Sequence, residues 1–269
     1  MSSSVIASFS APIGVFDSGI GGLSILRALR KQLPHEDFVY FADTAHNPYG
    51  GKSTEFVTER SLAIADELVS QHRIKALVVA CNTATAVAIQ ALRERYPDLP
   101  LIGIEPAIKP ATQLTKTGRV LVLATHGTLK SEKFAALLET YRKDAMFTCV
   151  ACVGLAEMIE HIEEQVVTPD LIAFCAGFMP ASDQFGIKKG QIDTLVLGCT
   201  HYPLIAPVWR ELVGPQVVVV DNAQAVALQT MRLLKQPLRR DGDGTLSWRS
   251  SADSAHLAHV ANFWLSQPV

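Results

Sequence analysis

Two stretches of this chain read as copies of one unit. One is Ile74-Lys75-Ala76-Leu77-Val78-Val79-Ala80-Cys81-Asn82-Thr83; the other is Ile192-Asp193-Thr194-Leu195-Val196-Leu197-Gly198-Cys199-Thr200-His201. In each, an apolar run ends at a small residue, then a cysteine, then hydroxyl, amide or imidazole side chains. A strand that is apolar along its whole length must be buried on both faces. A parallel sheet with helices on both sides provides that. The requirement is imposed twice, so two such sheets, or two halves of one, are expected.

The rest of the chain supplies the other strands. Apolar runs at residues 13–16, 38–42, 101–104, 119–123, 146–152 and 217–220 alternate with segments of helical periodicity. Such alternation reads as α/β architecture. The repeat also extends beyond the cysteines. Residues 119–128 parallel residues 13–22, with Ala124 where Asp17 stands and Thr125 where Ser18 stands. Two similar lobes are therefore expected, with ligands at the carboxyl ends of the strands. Asp17, Cys81, Thr125 and Cys199 all fall at such ends, and two facing lobes would bring them to a single cleft.

Composition narrows the function. Of 269 residues, 48% are apolar and 19% are charged, which is ample for a large core. The net charge of −2 gives no electrostatic case for a nucleic-acid partner. No apolar run approaches the roughly 20 residues of a membrane span. Residues 1–10 lack the pattern of a signal peptide and read as a short disordered lead-in. Five cysteines, an odd number without an export signal, fit a reducing cytoplasm. Cys149, Cys152 and Cys175 read as small buried hydrophobes. The C-x-x-C spacing of Cys149 and Cys152 lies in a strand, where such positions face opposite ways. With no second pair to complete a zinc site, no metal is expected.

A cysteine approaching one ligand from each side suits proton transfer at a single carbon. One thiolate removes the proton, and the opposite thiol delivers one to the other face. A free thiol titrates near 8.5, so both forms are within reach of neutral pH after modest tuning. Asp17 could take a proton from Cys81, hold a substrate amino group, or merely cap its turn. His201, two residues beyond Cys199, could play the matching part, with Glu157 beside it. Ser18, Asn82, Thr83, Thr125, Thr200 and backbone N–H groups at helix starts can hold carboxylates without Arg or Lys. The Tyr49-Gly50 loop could close over them. The glycine-rich turn after Asp17 serves either anion binding or close packing. Single-nucleophile hydrolase chemistry would leave the duplication without a use.

These residues also form linked motifs. Gly14-Val15-Phe16-Asp17-Ser18-Gly19-Ile20-Gly21-Gly22-Leu23, Asn47-Pro48-Tyr49-Gly50, Ala80-Cys81-Asn82-Thr83-Ala84 and Gly198-Cys199-Thr200-His201-Tyr202-Pro203-Leu204 occur in that order. In this the chain resembles the bacterial glutamate racemases of the cofactor-independent aspartate/glutamate racemase superfamily. The resemblance implies an α/β fold of two pseudo-symmetric doubly wound lobes, with mainly parallel sheets and the active site between them. Residues 1–104 and 212–269 would form the first lobe and residues 105–211 the second. It implies interconversion of L- and D-glutamate for peptidoglycan, in the cytoplasm, without pyridoxal phosphate, metal or nucleotide, by a protein that is commonly a homodimer. The catalytic set would be Cys81, Cys199, Asp17, His201 and Glu157. Substrate contacts would fall on Asp17, Ser18, Tyr49, Gly50, Asn82, Thr83, Thr200 and His201, beside Thr125 from the reading of the repeat. A racemase for aspartate, or a non-catalytic amino-acid-binding protein, remains the alternative.

Overall fold

The computed structural model describes residues 11–162, 166–234, 238–239 and 241–267. The lead-in at residues 1–10 lies outside them. The chain opens with β1 (Ile13–Asp17), α1 (Leu23–Gln32), β2 (Phe38–Ala42), α2 (Thr54–His72), β3 (Ala76–Val79), α3 (Asn82–Arg95) and β4 (Leu101–Gly103). It continues with α4 (Ile108–Leu114), β5 (Arg119–Ala124), α5 (His126–Lys130), α6 (Glu132–Tyr141), β6 (Met146–Ala151), α7 (Leu155–Glu160) and α8 (Pro169–Ala176). Then come β7 (Thr194–Leu197), α9 (Ala206–Val213), β8 (Val218–Val220), α10 (Ala223–Leu233), β9 (Leu246–Ser250) and α11 (Ser254–Ser266).

The strands form two sheets, ordered β4-β3-β1-β2-β9 and β6-β5-β7-β8. Neighbouring strands pair in parallel throughout both sheets among the described residues. If β5 to β8 are matched to β1 to β4, the two sheets have the same order, with β9 added at one edge. The apolar runs explain this. Residues of β1, β2, β3 and β7 are buried at every position, because helices cover both faces. One apolar cluster runs from Ile13, Val15 and Leu26 in the first lobe to Leu121, Leu195 and Trp209 in the second, so the lobes share a core.

The lobe boundary differs from the expected residue 212. β8 pairs with β7 in register Thr194↔Val218, so the chain leaves the second sheet only after Val220. The short apolar run at 217–220 fills the fourth place of that sheet, as β4 does in the first. Among the described residues, no helix is long and apolar enough to cross a membrane.

Candidate active site

In both sheets the strand order reverses between the first and third strands, which opens a crevice at their carboxyl ends. Asp17 is the last residue of β1, and Thr125 directly follows β5. Cys81 and Cys199 each stand two residues beyond the third strand of their lobe. A matching backbone bond fixes each: Ala80 N–H donates to the Phe16 carbonyl at 2.6 Å, and Gly198 N–H to that of Leu123 at 2.7 Å. The duplicated sequence thus becomes duplicated geometry.

Cys81 caps α3. Its Sγ accepts the Ala84 N–H at 3.5 Å and its thiol points to Ser18 Oγ at 3.9 Å. The residue is only 5% exposed. Burial first, then the charge of Asp17, pushes this thiol well above the ordinary range, and the charge of Cys199 adds to the effect. The two sulfurs are therefore close enough to sense each other. Cys199 is equally buried, with its Sγ 3.7 Å from His201 Nδ1.

His201 Nε2 meets Glu160 Oε1 at 2.5 Å. Burial alone would lower the imidazole's pKa, but its bonds to Cys199 and Glu160 outweigh that and raise it well above the usual value. Asp17 is fully buried; its Oδ1 accepts the Gly19 N–H at 2.8 Å and its Oδ2 the Thr200 hydroxyl at 3.2 Å. Burial raises its pKa, against the opposing pull of His201.

The structure places Glu160, not the expected Glu157, against His201. Glu157 is exposed. Glu160, three residues further along α7, reaches His201 and also accepts the Ile20 N–H at 2.8 Å. A signal for this was present in the sequence. On a helix of 3.6 residues per turn, Glu160 falls at the edge of the stripe of buried Leu155, Ala156 and Ile159, four residues after Ala156, whereas Glu157 faces away from it. A charged residue at the edge of an apolar stripe is half-buried and needs a partner there. The packing is tight enough that a Cβ on Gly19 would collide with the Glu160 carboxylate.

The neutral recognition groups are also brought together. Ser18, Asn82, Thr83 and Thr200 are buried. Thr83 Oγ1 lies 3.0 Å from Thr125 Oγ1, which joins the lobes, and Thr125 is 2.9 Å from Thr128 Oγ1. Both polar atoms of the Asn82 amide are buried without a hydrogen-bond partner. Tyr49 is the exception: its hydroxyl donates to Asp43 at 2.5 Å, so that proton is not free for a ligand, whereas its backbone and that of Gly50 are not engaged by this bond.

Comparison with known proteins decides what this crevice belongs to. The Asp/Glu/hydantoin racemase family matches residues 13–230. The glutamate racemase of Stutzerimonas stutzeri is 46% identical over 264 residues, covering 95% of this chain and 94% of that one. This chain belongs to the Asp/Glu/hydantoin racemase family. A solved glutamate racemase from Bacillus anthracis superposes with a TM-score of 0.84 at 31% identity, covering 97% of this chain and 96% of that one. The Escherichia coli glutamate racemase, solved with L-glutamate and the activator UDP-MurNAc-Ala, gives 0.79 at 31% identity, with 94% and 95% covered.

By sequence and fold this chain is an amino-acid racemase of the glutamate racemase group. A racemase must remove and return a proton at one carbon, and the two buried sulfurs are suited to that. The free α-amino acid also carries charge that must be held. Asp17 suits the ammonium, and Asn82 with the N–H groups opening the 14-residue α3 suits a carboxylate. Among the described residues, no group of three His, Cys, Asp or Glu side chains could hold a metal ion.

Proposed function

We propose that this racemase interconverts L- and D-glutamate, with Cys81 and Cys199 as the two bases. The observation that carries this reading is the placement of two buried cysteines at equivalent strand ends of two like lobes, within electrostatic reach of each other. The Stutzerimonas stutzeri relative and both structural neighbours named above are glutamate racemases.

In one direction a thiolate takes the α-proton, and the electron pair is delocalised onto the α-carboxylate. Asn82, Thr83, Thr200 and the α3 N–H groups take up that charge. The opposite thiol then donates its proton to the other face. One S–H bond forms as the other breaks, so no oxidant or reductant is needed. The spent pair is reset by turnover in the reverse direction or by proton exchange with water. Asp17 and Ser18 attend Cys81, and His201 with Glu160 attends Cys199. Tyr49 and Gly50 contribute backbone groups, and Thr125 closes the site from the second lobe.

The same reading places the enzyme in the cytoplasm, as a homodimer without cofactor, supplying D-glutamate for peptidoglycan. The test is single replacement of Cys81 or Cys199 with Ser, followed by circular dichroism on each glutamate enantiomer in deuterated water. Each variant should lose racemisation. In the parent enzyme, deuterium should enter the product enantiomer early and the recovered substrate little. Full racemisation by both variants, or faster turnover of aspartate than glutamate, would overturn the proposal.

A further inference from the structure

Asp43 ends one residue past β2 and is completely buried, yet it belongs to none of the motifs tied to the chemistry. Three side chains converge on it. Tyr49 donates its hydroxyl to Oδ2 at 2.5 Å, and His46 Nδ1 lies 2.9 Å from Oδ1. Arg60 from α2 grips both oxygens, with Nε at 3.0 Å and Nη2 at 2.8 Å. Burial would push this carboxyl up. The bonds from Arg60, Tyr49 and His46 prevail and hold it at about 2, so it stays ionised at any working pH.

This network leads directly to the cleft. The Tyr49 ring packs edge-on to Phe16, the residue before Asp17, with centroids 6.2 Å apart. The next residue, Gly50, sits against the second lobe: a Cβ there would lie 3.1 Å from Thr125 Cβ. Thr125 in turn meets Thr83. Arg60 does not itself form part of the α2 core stripe, which is Val57, Ser61, Ile64, Ala65 and Leu68. Its side chain is 27% exposed and forms an ion pair with Asp43.

We propose that Arg60 is a positioning residue: by clamping Asp43 it fixes Tyr49 and so holds the Tyr49–Gly50 backbone where it binds substrate. The proposal rests on the racemase reading of the Cys81–Cys199 cleft. Arg60 touches neither sulfur nor their assistants, so its loss should weaken substrate binding and leave proton transfer alone.

The test is a kinetic comparison of Arg60→Met, Arg60→Lys, Tyr49→Phe and the Arg60→Met/Tyr49→Phe double variant, on both enantiomers. The parent enzyme is assayed first; if it fails to racemise glutamate, the functional reading fails rather than the role of Arg60. For Arg60→Met, KM should rise about tenfold with kcat within about twofold of the parent. Arg60→Lys supplies the charge without the two-pronged grip, so it should recover part of that loss. It also provides the comparison if the Met variant does not fold. The double variant should be no worse than about twofold beyond the weaker-binding single variant, because both act through Asp43. Additive effects, an unchanged KM, or a fall in kcat matching the rise in KM would overturn the proposal.

Discussion

Replacing Glu160 with Gln tests the assignment that separates the structure from the sequence reading. One Glu160 oxygen accepts the His201 Nε2–H and the Ile20 N–H, from opposite lobes. Gln keeps the shape but loses the charge. A hydrogen bond to a charged group contributes about 1.5–3 kcal/mol. At about 1.4 kcal/mol per decade, that predicts a fall in kcat/KM of roughly ten- to a hundredfold. Racemisation has an equilibrium constant of unity, so kcat/KM must fall equally for both enantiomers, whichever cysteine is affected. His201 also loses a partner that raises its pKa, so a high-pH limb set by its deprotonation should move to lower pH. Circular dichroism progress curves from each enantiomer across pH measure both effects, with the exposed Glu157→Gln as the control. If Glu160→Gln stays within about twofold of the parent, or Glu157→Gln falls equally far, the assignment is wrong.

Asn82→Ala removes an amide whose buried polar atoms have no protein partner, so thermal stability should hold or rise while KM increases about ten- to a hundredfold. A destabilised variant with unchanged KM would show that the amide serves the fold. Asp17→Asn should stabilise the protein at neutral pH and abolish most activity. Burial raises the Asp17 pKa in the folded state. Its contribution is therefore full below about pH 3.8 and is lost as pH rises through the raised folded value. The melting-temperature advantage of Asp17→Asn should accordingly shrink on acidification, and an advantage that grows would contradict this account.

The fold was legible because its signals are local and repeated. Residues 76–79 and 194–197 could be buried strands only in a sheet covered on both faces, and the same switch point follows in each lobe. The cysteines were legible because the chain carries their setting twice. What could not be read was contact between distant elements. Val218–Val220 gave a strand but not its neighbour, so the lobe boundary fell short. Tyr49 looked like a ligand group, but its hydroxyl is taken by Asp43, a residue outside every motif. Glu157 and Glu160 differ by less than one helical turn, and only the apolar phase of a six-residue helix separates them.

The unequal surroundings of the two cysteines follow from the repeat itself. In the first lobe the carboxylate at the end of the first strand, Asp17, stands next to Cys81; in the second, Ala124 occupies that place. The missing charge comes from α7 through Glu160, by way of His201. Asp17 also crosses the cleft, accepting the hydroxyl of Thr200 from the residue after Cys199. Each carboxylate thus takes one bond from its own lobe and one from the other. With both cysteines only 5% exposed, parting of the lobes would give substrate a way in to them. Parting removes one donor from each carboxylate, and closure restores both. The acid–base groups are therefore fully assembled only when the lobes are together and water is excluded, so that a proton in transfer is kept from solvent.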